Sequence, residues 1–428
     1  MSAPQFPLRI GFVSMEYPGF GPYGGIGVYV QQVAHCLKDL GHLPFVLLSN
    51  GAPTSLHEDG GIPIHSFNPV THFPFPIGRG SSLMMAKRLS RLVRELKLNI
   101  LEVPEFGGAA GALSLWPGCS IPTVVRLHTC SAIVRSLNHI RTQSYGRSLT
   151  NSLGDRMERR GIQKAQMVTA ISAAVVEETK FRLRISRRDI KIVANPVSDS
   201  FFNVHSNHED AAPIVLFLGR LEWRKGPDIL VESLSLLLPT YPGLQLWLAG
   251  ADTNTDPRGA SMRGYLEGLI DPKNRNNFKF LGALDHSEVL RVIGRATVCV
   301  FPSRWEGFGI ACAETMAACK PVVAPDTSCF PEFIRHGENG LLARENSPAA
   351  LAAEIGLLLS SQALRDNLAA GARRYALAHF ECRKVCTELL DVYHAVAQRC
   401  PNRKQIRVAL GVRRPEPVPV KENRVGNL

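Results

Sequence analysis

Apolar residues in this chain fall into short runs separated by longer stretches with helical spacing. In the first half the runs lie at residues 8–14, 43–49, 100–103, 123–127 and 167–171, with helical patterning over 27–40 and 81–96. In the second half they lie at 214–218, 245–249, 278–281, 298–301 and 321–324, with helices expected at 227–237, 287–294, 310–318 and 348–359. Strands alternating with helices imply parallel sheets covered by helices on both faces. Between the two series, residues 197–213 are polar and weakly periodic, and helical patterning resumes over 363–399.

Length changes this picture only by doubling it. At roughly 100–200 residues per domain, the 428 residues suit two domains. The expected division is a first α/β domain over 1–197, a second over 198–378, a terminal helix over 379–400 packing back on the first domain, and a basic, proline-containing, disordered tail over 401–428. In sheets of this kind ligands bind beyond the carboxyl ends of the strands. Two such sheets facing each other place a ligand cleft between domains.

Composition removes several classes. No apolar run reaches the ~18 residues that span a bilayer. Residues 8–13 read as a first strand rather than a signal peptide, so a cytoplasmic location is expected. Ten cysteines show no C-x-x-C pair. Cys382 and Cys386 lie four apart on an expected helix without a nearby histidine cluster, which argues against zinc and for reduced thiols. The net charge of +12 is uneven. Twelve Lys/Arg stand against five acids between Arg141 and Lys191, and seven against two between Arg403 and Arg424. Basic surface suits anionic partners. No nucleic-acid module accompanies the charge, so a nucleic-acid partner is not expected. The helix carrying Lys87, Arg88, Arg91 and Arg94 can rest on an anionic membrane, but the strand that follows it favours packing on the first sheet.

The chemistry concentrates in the loop after the 298–301 strand. There Glu306-Gly307-Phe308-Gly309 opens a helix that carries Glu314. Glycines let backbone N–H groups approach a ligand, and a helix N-terminus attracts phosphate. Two carboxylates beside a phosphate site suit sugar hydroxyls. Arg220 and Lys225 follow the 214–218 strand and precede a helix begun by Pro227, where two cations would stabilise a departing diphosphate. Near the N-terminus, Gly24-Gly25-Ile26-Gly27 precedes a helix, but it is not a G-x-G-x-x-G fingerprint. His128 ends one strand and Glu105 follows another.

The Glu306-x7-Glu314 motif with its internal Gly307-Phe308-Gly309 resembles the retaining glycosyltransferase family 4. The resemblance extends to Arg220 and Lys225, to Asn195-Pro196-Val197, to Ala170-Ile171-Ser172, to Pro321-Val322-Val323-Ala324 and to Gly337-Glu338-Asn339-Gly340-Leu341-Leu342. It covers residues 8–398. It implies the GT-B fold, two Rossmann-like doubly wound domains facing across a cleft. It also implies a sugar transfer from a nucleoside-diphosphate sugar to a hydroxyl acceptor, with retention and without a metal or other cofactor. In that reading His128, Arg220, Lys225 and Glu306 act on the reacting groups. Gly25, Gly307, Phe308, Gly309 and Glu314 bind the donor, Glu306 on the hexose side and Glu314 on the ribose. Glu105 is an acceptor contact. One departure is the long polar stretch Gly250-Ala251-Asp252-Thr253-Asn254-Thr255-Asp256-Pro257, where the family often has a tighter turn; it leaves the base open. The acceptor, whether glycan, lipid or small molecule, is also open, and residues 71–82 are distinctive but unreadable. A nucleotide-sugar epimerase of the same fold and a non-catalytic nucleotide-sugar binder are the alternatives.

Overall fold

The computed structural model describes residues 7–21, 24–51, 54–68, 79–117, 119–137, 145–205, 212–344 and 347–399. Residues 71–78 and the basic tail lie outside them.

Two sheets organise the chain. The first holds β1 (Arg9–Ser14), β2 (Leu43–Leu48), β3 (Ser55–Asp59), β4 (Ile62–Ser66), β5 (Ile100–Pro104), β6 (Thr123–Leu127), β7 (Met167–Ala170) and β8 (Ile190–Ile192). Their order is β3-β4-β2-β1-β5-β6-β7-β8. The second holds β9 (Ile214–Leu218), β10 (Gln245–Ala249), β11 (Phe278–Gly282), β12 (Val298–Val300), β13 (Val322–Pro325) and β14 (Leu341–Ala343), in the order β11-β10-β9-β12-β13-β14. Every pairing is parallel except β3 with β4. The fold is therefore α/β with two doubly wound, Rossmann-like domains. Parallel sheets need apolar strands because helices cover both faces. All residues of β5 and β12 are accordingly buried.

This winding positions the site. The first sheet reverses direction between β1 and β5, and the second between β9 and β12. Loops leaving adjacent strands part at such a reversal and open a crevice at their carboxyl ends. The segments after β9 and β12 carry Arg220, Lys225, Glu306 and the Gly307–Gly309 turn. Those after β1, β5 and β6 carry Gly25, Glu105 and His128.

Ten predicted strands appear within two residues of their expected ends. The β3–β4 hairpin was not expected. Its turn, Gly60-Gly61, has both glycines at positive φ, the two-residue connection that matches strand twist. The helix Tyr145–Lys164 was also missed, because its sequence lacks an apolar stripe. The basic helix Arg79–Glu95 buries Ala86, Leu89 and Leu92 in the first core, while Arg91 pairs with Glu95 on its exposed side.

The single helical stretch expected over 363–399 is two helices, Gln362–His379 and Cys382–Arg399, broken at Phe380 and Glu381. At the break, Val197 N–H donates to Phe380 O at 2.8 Å, and Val197 bridges Glu381. Cys382–Arg399 then lies on the helix Gly25–Asp39. Val385, Leu389, Tyr393 and Val396 share one core with Ile10, Phe12, Val33 and Leu37. Burying each such aliphatic chain stabilises the packing by roughly 1.5–3 kcal/mol. Polar contacts reinforce the seam. Tyr393 Oη donates to Glu102 Oε2 at 2.6 Å and Tyr29 Oη donates to Glu102 Oε1 at 2.7 Å. The fully buried Arg126 lies over the Tyr29 ring and donates to Val193 O, Ala194 O and Asn195 Oδ1.

Candidate functional site

The second-domain wall is a charge cluster. Lys225 ends the short 3-10 turn Trp223–Lys225, and Glu306 sits between β12 and the helix Ile310–Ala317. Lys225 Nζ forms a short ion pair with Glu306 Oε2, and Arg224 Nη1 lies 3.4 Å from Glu306 Oε1. Gly307 N–H donates to the same carboxylate at 3.3 Å. Burial alone would raise the pKa of Glu306. Lys225 and Arg224 outweigh it and hold the group down at about 2, so the carboxylate is charged at every physiological pH.

Arg220 points elsewhere. It pairs with Glu222 at 2.7 Å and remains 57% exposed, while Glu222 is 3% exposed. Arg224 joins the two acids, with Nη2 at 3.2 Å from Glu222. Arg220 and Lys225 are thus not a matched pair. They are the outer members of a chain Arg220–Glu222–Arg224–Glu306–Lys225, built on the buried Arg224. Arg304 holds this loop from below: it chelates Asp228 at 2.8 and 2.5 Å, donates to Trp223 O at 2.7 Å and stacks 3.8 Å over the Trp223 ring. The polar stretch after β10 braces it from the side, with Thr255 Oγ1 accepting from Trp223 N–H and Thr253 Oγ1 donating to Leu221 O.

The glycines of the Gly307–Gly309 turn have two different reasons. Gly309 caps the helix Ile310–Ala317 at φ 73°, a left-handed conformation that favours glycine. A Cβ on Gly307 would sit 3.0 Å from His128 O and 3.1 Å from both Thr129 Oγ1 and Val175 Cγ2, all in the other domain. Phe308 is buried with Phe333 and Phe380, so it anchors the turn in the core rather than touching a ligand directly. Glu314 lies one helical turn further. Its carboxylate has no hydrogen-bond or ion-pair partner among the described residues, and burial pushes its pKa to about 8.

The first-domain wall is built around His128. Its ring meets Tyr29 edge-on, and burial with the nearby Arg126 charge pulls its pKa well below the usual histidine value, so the imidazole is neutral. Glu105 differs from expectation. It is buried, and both its oxygens lie 2.9 Å from the His128 backbone N–H. Burial raises its pKa to about 8. Its position shapes the end of β6 instead of presenting a carboxylate to an acceptor. Glu158, which the sequence did not single out, braces the same loops by accepting from Gly107 N–H and from Ser131 N–H and Oγ. Gly25 begins the helix Gly25–Asp39, and a Cβ there would lie 3.2 Å from Ile310 Cδ1. The first-domain glycine turn therefore faces the helix start of the second domain. Glu16 occupies part of that helix N-terminus, accepting from Gly27 N–H at 2.9 Å.

The two walls touch directly. Ser172 Oγ donates to Gly307 O at 2.5 Å while accepting from Val175 N–H. Glu332 accepts from Ala173 and Ala174 N–H, both at 2.8 Å, and so caps a helix of the opposite domain. Within its own short helix, Phe330–Phe333, Glu332 is a first-turn carboxylate, and nothing local marks this contact. Arg224, Glu222 and the Arg304–Asp228 pair were also missed; the alternation of charges over residues 220–228 was the available signal. Remote from these walls, the Sγ atoms of Cys36, Cys382 and Cys386 lie within 4.8 Å of one another. Among the described residues no helix is long and apolar enough to cross a membrane.

Residues 23–201 match the model of Glycosyltransferase Family 4, and residues 200–375 match that of Glycosyl transferases group 1. The chain is 25% identical to a glycogen synthase of Mycobacterium tuberculosis over 94% of this chain and 98% of that protein. It is 26% identical to a phosphatidyl-myo-inositol mannosyltransferase of Mycobacterium leprae over 91% and 97%. Among solved structures, sucrose-phosphate synthase from Thermosynechococcus elongatus superposes with a TM-score of 0.74 at 19% identity, covering 91% of this chain and 99% of that one. Anabaena HepE in complex with UDP-glucose superposes at 0.69 and 17%, covering 91% and 100%. Those structures share the GT-B fold. With one family model on each domain and named transferases aligned along nearly the whole chain, this protein is an enzyme of the group 1, family 4 glycosyltransferases.

Proposed function

We propose that the chain transfers a sugar from a nucleoside-diphosphate sugar to a hydroxyl acceptor, with retention of anomeric configuration and without a metal. The observation that carries this reading is the Glu306–Lys225–Arg224 cluster, built on the buried Arg224, whose Gly307 turn packs on the His128 backbone of the other domain. The solved complex of HepE with UDP-glucose supports a donor of this class.

The roles follow from charge. A glycosyl transition state places positive charge on the anomeric carbon, as in glycoside hydrolysis, while the departing diphosphate gains negative charge. Lys225, at the N-terminal end of the helix Ile310–Ala317, is placed for that charge, and the exposed Arg220 turns from Glu222 to join it. Glu306 keeps Lys225 in place and accepts from hexose hydroxyls. His128, held neutral, donates or accepts one hydrogen bond to the sugar without adding a competing cation. Glu314 accepts from the ribose. Glu306 is locked in ion pairs, so no carboxylate is free there to attack the anomeric carbon. The leaving phosphate then takes the acceptor proton on the same face.

Thermal shift with UDP-, GDP- and ADP-sugars identifies the donor, and NMR of donor with and without acceptor follows the product. Transfer or slow hydrolysis giving the retained anomer is expected in the presence of chelator. Conversion of donor to an epimer without acceptor would replace this reading by the epimerase one.

A further inference from the structure

We propose that Cys36, Cys382 and Cys386 form a trithiolate site for a thiophilic d10 metal ion, with zinc as the divalent ion it suits. The three come from two helices. Cys36 lies on Gly25–Asp39, and Cys382 and Cys386 lie four residues apart, on one face of Cys382–Arg399. Their Sγ atoms fall within 4.8 Å of one another. Three sulfurs bound at about 2.3 Å to one tetrahedral ion stand about 3.8 Å apart, so occupancy needs only a small inward movement of flexible side chains. A disulfide would instead draw two sulfurs to about 2.05 Å and leave the third without a role.

The surroundings suit a metal. Cys382 Sγ points at Gln32 O at 3.6 Å, and Cys386 Sγ at Val33 O at 4.0 Å, both weak bonds that a metal easily replaces. The incoming ion displaces the thiol protons of the three cysteines to solvent. A cavity of about 330 Å³, lined by Gln31, His35, Cys36, Asp199, Cys382 and Arg383 among others, opens beside the sulfurs. It leaves room for a water as fourth ligand, and its lining acids Asp39, Asp199 and Glu381 outnumber Arg383, a balance that favours an incoming cation.

The site is separate from the donor pocket. Cys36 is about 16 Å along its helix from Gly25, at 1.5 Å per residue. It does adjoin the chain crossing at Val197, Phe380 and Glu381, where the terminal helix leaves the second domain for the first. Metal here would pin that helix to the first domain.

The test uses the full chain, reduced and metal-free. Cobalt(II) should bind one per chain with intense near-ultraviolet thiolate-to-metal bands, which zinc then abolishes. Cys36→Ser and Cys382→Ser should each weaken zinc by at least on the order of 10-fold, while Cys119→Ser should not. In the wild-type chain, zinc should slow alkylation of the three cysteines, read by peptide mass, and leave Cys119 unaffected; this readout does not depend on a variant folding. Cobalt bands without thiolate intensity, zinc affinity insensitive to Cys36→Ser, or recovery of a disulfide within the cluster in place of bound metal would overturn the assignment.

Discussion

Replacing Lys225 by alanine tests the central cluster most directly. Glu306 is 12% exposed and held at about 2 by burial opposed by Lys225 and Arg224. Against a free glutamate near 4.5, that difference corresponds to roughly 3 kcal/mol favouring the charged form, at about 1.4 kcal/mol per pKa unit. Removing Lys225 leaves Arg224 at 3.4 Å, so the carboxylate keeps one cation and the domain should stay folded. Stability has a defined sign. A depressed carboxylate pKa contributes stability above the unfolded value near 4.5, which is lost as pH falls towards 2. In Lys225→Ala the loss should still begin near 4.5 but be smaller and finish at higher pH, because the folded-state pKa of Glu306 moves up towards the unfolded one. Catalysis should suffer more than stability. Loss of one preorganised charge at the leaving diphosphate costs on the order of 10²–10³ in kcat, or about 2.7–4 kcal/mol. The assay pairs steady-state transfer with the best donor against acid-titrated thermal melts of both proteins. A folded Lys225→Ala enzyme turning over within threefold of wild type would refute the reasoning, since Lys225 would then only neutralise Glu306.

Other outcomes follow from single contacts. Gly307→Ala places a methyl 3.0 Å from His128 O, so kcat should fall while the melting temperature stays within a few degrees; an unchanged kcat would show that this contact is absent during turnover. Glu314 is held protonated up to about 8, and ribose hydroxyls donating to it would favour the ionised form. Nucleotide binding at pH 7 should therefore release a proton, visible as a buffer-dependent calorimetric enthalpy, and Glu314→Gln should abolish the dependence. Tyr393→Phe strips Glu102 of a 2.6 Å donor in the core and should cost roughly 1–3 kcal/mol by denaturant unfolding. Full retention of stability would mean that Tyr29 and Arg126 suffice.

Local periodicity and motif spacing determined the strand–helix alternation, the two-domain architecture and the places where chemistry gathers. Runs such as Ile214–Leu218 and turns such as Gly307–Gly309 act through contacts within a few residues, and those are written along the chain. Tertiary structure decided the partners. Arg220 and Lys225 read as equals by spacing, yet only Lys225 reaches Glu306, because the turn at 223–225 sends Arg220 to Glu222. Glu105 reads as a cleft acid, yet the pairing of β5 with β6 brings it to the His128 backbone. Glu332 lies 159 residues from the Ala173 amide it caps, and Cys36 lies some 350 residues from the two thiols it meets. Such pairs depend on how the domains and the terminal helix dock, a long-range arrangement that residue spacing does not encode.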